Sequence, residues 1–296
     1  MRNGALYIVT QDPRYIDMVL VSAESLKRAM PDLPVTVFSQ FPAKSPHLDN
    51  VVIVAPAKDG FYDKARLIAD SPYERTMFID ADTFVLEPVP ELFSVLDHFD
   101  CAATHEEYLS TDWVGSYPRA DIPASYPEFN TGILLVKRSQ RTQELLQRWA
   151  ELYEAYLREK PEHPINDQPF FRAASYYSEV RMATLMREYN CKFRGQGYVN
   201  KAVKILHGHV DFQLVPDHLN QAANVLNASQ RPRVYVAGEV YEQKLVGRLI
   251  GRRKAHKVGS FPELPGSLTW RRAKRLKKLI EERGVSKVLR RVFATS

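Results

Sequence analysis

Short apolar runs alternate with helical periods along most of the chain. Residues 5–10, "ALYIVT", form a continuous apolar run of strand length. In residues 13–30, "PRYIDMVLVSAESLKRAM", Ile16, Val19, Leu20, Ala23 and Leu26 recur at helical spacing. Pro13 suits a first helical turn and Pro31 stops the helix. The β-branched runs at 34–40 and 50–56 predict strands, and "YDKARLIAD" (62–70) predicts a short helix leading into a strand at 76–79. Further on, 129–139 ("FNTGILLVKRS") reads as a strand and 140–160 as a long amphipathic helix. Residues 166–178 ("NDQPFFRAASYYS") read as a helix opening on cap-type residues, and 203–210 ("VKILHGHV") as a late strand. Strands alternating with helices predict an α/β fold with a mostly parallel sheet covered on both faces. Its ligand site is expected at the carboxyl ends of the strands.

Two features interrupt this rhythm. Residues 106–128 are polar and aromatic, contain three prolines and show no period. A segment that long between elements is expected to be a lid or binding loop, with Trp113 or Tyr117 touching an acceptor. The other is the end of the 76–79 strand, where Asp80 and Asp82 stand one residue apart. Alternate residues of an extended chain face opposite ways, so a turn is needed to aim both carboxylates inward. Two like charges held together favour a hard divalent cation, which takes carboxylate and phosphate oxygens. That leaves two chemical readings. One is a metal-bound diphosphate. The other is a haloacid-dehalogenase-like phosphatase with Asp80 as nucleophile and Asp82 as acid/base. "MFIDADTFV" fits the phosphatase pattern with its threonine offset to Thr83, and about three strands precede a motif that usually opens the chain.

Several stretches, in order, resemble the retaining glycosyltransferases of family eight. "YIVTQDPRYIDMVLVSAESLK" is similar to that family's first strand and helix, with Thr10, Tyr15 and Lys27 at matching spacing. "DKARLIADSPYERTMFIDADTFVLEPVPELF" resembles its lysine-bearing helix and Asp-x-Asp strand, with Lys64 sixteen residues before Asp80. "FNTGILLVKRS", "NDQPFF", "LMREYN" and "KILHGH" resemble its Phe-Asn-x-Gly strand, Asp-Gln turn, Leu-Pro-x-x-Tyr-Asn segment and late metal-binding histidine. The resemblance is collinear over residues 5–212. It implies a single GT-A domain (1–250) that transfers a hexose from a UDP-sugar to a glycan or glycolipid acceptor with retention of anomeric configuration. It also implies roles. Asp80, Asp82 and His207 would hold Mn²⁺ or Mg²⁺, with His209 an alternative to His207. Thr10 and Tyr15 would hold the uracil, and Lys64, Asp80, Ala81, Asp82, Asn130 and Thr131 would line the donor site. Asp167 would bind donor hydroxyls and Gln168 would stabilise the cationic transition state. The family's lysine after the late histidine is absent from "HGHVDFQLVP", leaving Arg194, Lys201 and His209 as candidates for the β-phosphate. A non-catalytic nucleotide-sugar-binding protein is the third reading. A nucleotidyltransferase is disfavoured, because "VTQDPRY" carries no glycine-rich loop.

Composition changes this picture in one place. With 45% hydrophobic and 26% charged residues the chain is ordinary globular material. No apolar run reaches membrane-span length, and the N-terminus reads as a first strand in place of a signal peptide. Cys101 and Cys191 form no disulfide framework and suit reduced thiols in a cytoplasmic protein. The charge, however, is uneven. Residues 252–291 carry fourteen Lys or Arg against three Glu, a net +11, whereas the whole chain is +6, so the rest is mildly acidic. An acidic body argues against a nucleic-acid face. Within 267–296, Trp270, Ala273, Leu276 and Ile280, then Val285, Val288, Leu289, Val292 and Phe293, recur at helical spacing among ten basic residues. Residues 251–296 are thus expected to form a basic helical tail lying on an anionic membrane surface, with the protein peripheral on the inner face.

Overall fold

The structure, a computed structural model, describes residues 2–55, 60–106, 121–160, 165–209, 212–236, 238–243 and 255–260. The aromatic candidates Trp113 and Tyr117 and the helical pattern of 267–296 lie outside these residues. The chain divides into two compact units, Met1–Met186 and Arg187–Ser296.

The first unit runs β1 (Asn3–Val9), α1 (Arg14–Ala29), β2 (Val35–Ser39), β3 (Asn50–Ile53), α2 (Gly60–Ala69), β4 (Arg75–Ile79), β5 (Thr83–Val85), α3 (Glu91–Val95), β6 (Cys101–His105), β7 (Phe129–Lys137), α4 (Gln140–Glu159), α5 (Gln168–Tyr176) and β8 (Met182–Thr184). Seven of its strands form one sheet in the order β3-β2-β1-β4-β7-β6-β8. All pairings are parallel except those of β7, which runs against both β4 and β6. The expected α/β architecture with a mostly parallel central sheet is present. Strands β1, β2 and β4 are buried along nearly their whole length, which explains why they read as continuous apolar runs and not as alternating ones. Against the sheet, α4 and α5 pack Trp149, Tyr153, Phe170 and Phe171 beside Leu6, Phe78 and Leu134. Ser139 and Thr142 close a capping box at the start of α4.

One close approach in the sheet has a measurable consequence. A Cβ built on Gly4 would lie 2.3 Å from the ring of Tyr73, whose hydroxyl is hydrogen-bonded to Thr36 Oγ1 at 2.7 Å. Gly4→Ala must therefore push a buried, hydrogen-bonded ring aside, and a loss of about 2 kcal/mol is expected in urea unfolding. An unchanged midpoint would show that the ring yields freely.

The second unit holds a 3-10 turn (Arg187–Tyr189), β9 (Gln196–Val199), β10 (Ile205–His207), α6 (Pro216–Leu226), β11 (Arg233–Val236), β12 (Glu239–Gln243) and β13 (Ala255–Ser260). Four of these strands make an antiparallel sheet in the order β13-β12-β11-β9. Residues 255–260, grouped with the tail on the basis of charge, thus form a strand. The buried Arg233 ties this unit together by donating to the carbonyls of Lys201 (2.7 Å), Arg231 (3.0 Å) and Leu226.

Candidate active site

The single antiparallel strand gives the first unit its chemistry. Because β7 runs against β4, its first residues lie beside the end of β4. Ile79 pairs with Ile133, and the Asp80 N–H donates to the Gly132 carbonyl at 2.7 Å. The turn after β4 is anchored on its other side by buried hydroxyls. Tyr7 OH meets Ser22 Oγ at 2.8 Å, Ser22 meets Thr83 Oγ1 at 2.8 Å, and Thr83 Oγ1 donates to the Asp80 carbonyl at 2.9 Å. The turn carrying Asp80, Ala81 and Asp82 is thereby fixed from β1, α1 and β7 at once.

Lys64 of α2 reaches into this corner and is only 7% exposed, so it is no solvated helix lysine. Its Nζ lies 3.1 Å from Asp80 Oδ1, 3.5 Å from Asp167 Oδ2 and 3.3 Å from Thr131 Oγ1. Burial works against the ammonium, but the carboxylates of Asp167 and Asp80 outweigh it and hold its pKa above the usual lysine value. Asp167 occupies the N-cap position of α5, yet its side chain caps no N–H. It accepts instead from Thr131 Oγ1 at 2.9 Å, while its carbonyl accepts from Trp149 Nε1 at 3.2 Å. Burial raises the Asp167 carboxyl above the ordinary carboxylate range, against the pull of Lys64, and the neighbouring Asp80 charge pushes the same way.

Amides line the adjoining wall. Asn130 Nδ2 donates to Glu106 Oε1 at 2.7 Å and to Gln168 Oε1 at 3.0 Å, and Gln168 Nε2 donates to Glu128 Oε1 at 3.0 Å. Glu106, Glu128, Asn130 and Gln168 are all buried. The two glutamates were not foreseen from the sequence. The usable signal was strand parity, since residue 128 falls on the same face as 130 and 132.

On the other side of the turn, Tyr15 opens α1 half-buried. Its pKa is raised by burial first, then by the charges of Asp82, Asp12 and Asp80, so the ring stands close to the carboxylate pair. Thr10 is buried between β1 and the start of α2. Between them Gln11 adopts φ 71°, a left-handed conformation in which its N–H donates to Gln40 Oε1 at 2.9 Å. Such backbone is costly for a residue with a side chain and persists where the surroundings hold it, here through the Gln40 bond.

In the second unit, two histidines flank Gly208, whose φ of +123° few other residues would tolerate. His207 Nδ1 meets the amide oxygen of buried Asn190 at 2.8 Å, so that nitrogen carries the proton and Nε2 keeps its lone pair. His209 is the reverse. Its Nδ1 accepts from the Phe212 N–H at 3.2 Å, so in the neutral ring Nε2 is the protonated nitrogen. The two rings thus differ in which nitrogen keeps its lone pair, Nε2 in His207 and Nδ1 in His209. Asn190 belongs to the "LMREYN" stretch, which the sequence had marked without giving this residue a role.

The thiols are uninvolved. Burial pushes the Cys101 thiol up, and that of Cys191 up to about 12, so neither is a thiolate nucleophile at neutral pH. Among the described residues no helix is long and apolar enough to cross a membrane.

No protein-family model matches the chain, and no curated protein matches it. Among solved structures, the chain is similar to mouse xyloside xylosyltransferase 1 in its apo form, with TM-score 0.49 and 16% identity over 72% of this chain and 100% of that one. It is also similar to an active-site mutant of the galactosyltransferase LgtC (TM-score 0.48, 12% identity, 74% of this chain and 94% of that one). A third similarity is to the glycosyltransferase GlyE of Streptococcus pneumoniae TIGR4 (TM-score 0.44, 17% identity, 64% of this chain and 46% of that one). All three are glycosyltransferases, the class that the sequence motifs resemble, and the sugars in their names belong to those proteins.

Proposed function

We propose that this protein is a metal-dependent glycosyltransferase that moves a hexose from a UDP-sugar to a glycan or lipid-linked glycan with retention of anomeric configuration. The observation that carries this reading is the buried corner at the carboxyl end of β4. There Lys64, Asp80, Thr131 and Asp167 form one ion-paired cluster beside the amides of Asn130 and Gln168. Carboxylates and amides held rigid in a water-poor corner are the groups that recognise sugar hydroxyls and favour positive charge at an anomeric carbon.

Asp80, Asp82 and His207 are the residues that would hold the cation, for which two carboxylates and one imidazole form a suitable oxygen–nitrogen set. Their fit rests on the His207 tautomer, fixed by Asn190, which leaves Nε2 available. A divalent ion bound there would supply the positive charge that a departing diphosphate requires. The protein's own groups do the rest. Tyr15 stacks on the nucleobase, and Thr10 holds its edge. Asp167, kept in place by Lys64 and Thr131, accepts hydrogen bonds from donor hydroxyls. Gln168 faces the sugar with its amide dipole as charge develops. His209 offers an N–H to the phosphate, in the place of the lysine missing after His207. The basic residues of 267–296 bring the acceptor, a glycolipid or similar glycan, within reach at an anionic surface.

The test is a panel of nucleotide sugars with and without Mn²⁺, read as donor hydrolysis and as transfer, with NMR of the product. Consumption of an α-linked UDP-sugar to an α-linked product is expected. Full activity in excess EDTA, preference for a GDP-sugar, or a β-linked product would each overturn the matching part. The surface role predicts that full-length protein sediments with anionic vesicles at low salt and that removing 267–296 releases it with donor hydrolysis intact. A protein that stays in the supernatant ends that part.

A further inference from the structure

The hydrogen bonds around Gln168 have a direction, and that direction is set by groups that can act in only one sense. Asn130 Oδ1 accepts from the backbone N–H of Gly132 at 2.9 Å, which fixes the orientation of the Asn130 amide. Its Nδ2 must then donate, and it does so to Glu106 Oε1 (2.7 Å) and Gln168 Oε1 (3.0 Å). Gln168 Nε2 in turn donates to Glu128 Oε1 at 3.0 Å. At both ends of the chain a carboxyl oxygen accepts, Oε1 of Glu106 and Oε1 of Glu128. Inverting the Gln168 amide would set its oxygen against the Glu128 carboxylate and its NH₂ against the Asn130 NH₂. Neither contact is a hydrogen bond, and both groups are buried, Glu128 at 1% exposure and Gln168 at 8%.

From this we propose that Glu128 is a positioning residue that locks the Gln168 side chain in one amide orientation and polarises it. The proposal rests on the reading of Gln168 as the group that faces the reacting sugar. With the lock in place, the second lone pair of Oε1, which no described hydrogen bond uses, always points the same way. The carboxylate behind Nε2 draws on the amide hydrogen and enriches the oxygen in electron density. An amide that could flip would present N–H to the anomeric carbon part of the time and oppose the charge that develops there. Arg172 also faces Glu128 electrostatically but spends its guanidinium on the carbonyls of Tyr126 (3.0 Å) and Pro123 (2.7 Å), so it holds the loop before β7 beneath the carboxylate. Asn130 holds the oxygen end of the Gln168 amide and Glu128 the nitrogen end, so the orientation is set from outside α5.

The experiment uses the full chain. Glu128→Gln keeps the volume but replaces an acceptor-only group with one that also donates. It is expected to lower kcat at least tenfold while the donor KM stays within twofold. In a Gln168→Ala background the same change should cost nothing further, because Glu128 acts through Gln168. Additive losses, or a raised KM with unchanged kcat, would overturn the role. A second measurement needs no variant and no substrate. In protein labelled with ¹⁵N at glutamine side chains, Gln168 should give one pair of amide protons, one of them shifted downfield by the carboxylate bond. Two sets of signals or an averaged pair would overturn the lock. If the wild type transferred no sugar while this signal held, the glycosyltransferase reading would fail and the orientation would stand.

Discussion

Asp82→Ala is expected to lower sugar transfer by about three powers of ten, the loss of about 4 kcal/mol of transition-state stabilisation. Donor diphosphate carries charge that must be offset as the glycosidic bond breaks. Lys64 is engaged by Asp80 and Asp167. The ion pairs described for Lys64 run to Asp80 and Asp167, so removing the Asp82 carboxylate is expected to act on the cation and to leave those pairs in place. His207→Ala should behave alike. His209→Ala should leave cation binding nearly unchanged, because its Nδ1 already accepts from Phe212 and its Nε2 carries the proton. Titration of Mn²⁺ into each variant by calorimetry, with UDP present, separates binding from turnover. A His209 variant that loses the ion while the His207 variant keeps it would reverse the assignment.

Lys64→Met is expected to destabilise the fold by about 4 kcal/mol, because it leaves two carboxylates in a buried corner without their cation. The pH dependence gives this prediction a second handle. The folded Lys64 value lies above the 10.5 of an unfolded lysine. Its contribution is therefore fully present below 10.5 and is lost as pH rises through the higher folded value. The gap between wild type and variant should narrow there. The opposite limb belongs to Asp167, whose carboxyl is already raised and rises further without Lys64. A folded state that binds its proton more tightly gains stability as pH falls, so the variant should recover part of its loss on mild acidification. Thermal melts of both proteins from pH 5 to 11 measure this. A variant melting within a degree of wild type across that range would mean that the ion pairs contribute nothing.

The parts of the site that were legible in the sequence are those whose chemistry and period coincide. "MFIDAD" announces a buried strand running into charge, and "FNTG" and "NDQ" put polar residues at element boundaries, where a strand end meets a helix start. Asp167 shows how far that reasoning goes. Position alone makes it a cap and the family resemblance gives it donor hydroxyls; its side chain caps no N–H and turns to Thr131 and Lys64. Glu106 and Glu128 were hidden for the opposite reason. Each borders a long polar segment, where an acid suggests solvent, and their burial depends on amides 24 and 40 residues away in sequence. The antiparallel sheet of the second unit was also missed. Its strands are short, several carry charged residues, and the basic composition of the last of them suggested a tail.

The one reversed strand, β7, also governs when the protein can become competent during its synthesis. Lys64 waits for Thr131, 67 residues later, and Asn130 waits for Gln168, a further 38. A nascent chain that has displayed only β1 to β4 already holds the Asp80 turn but has no strand to close against. Contacts of such separation form late and slowly, because the loops they close must first be ordered. Until α5 has left the ribosome the two aspartates remain an open, charged edge, so a chain that has emerged only to a point before residue 168 should be cut readily by a protease, and one that has emerged beyond 186 should resist.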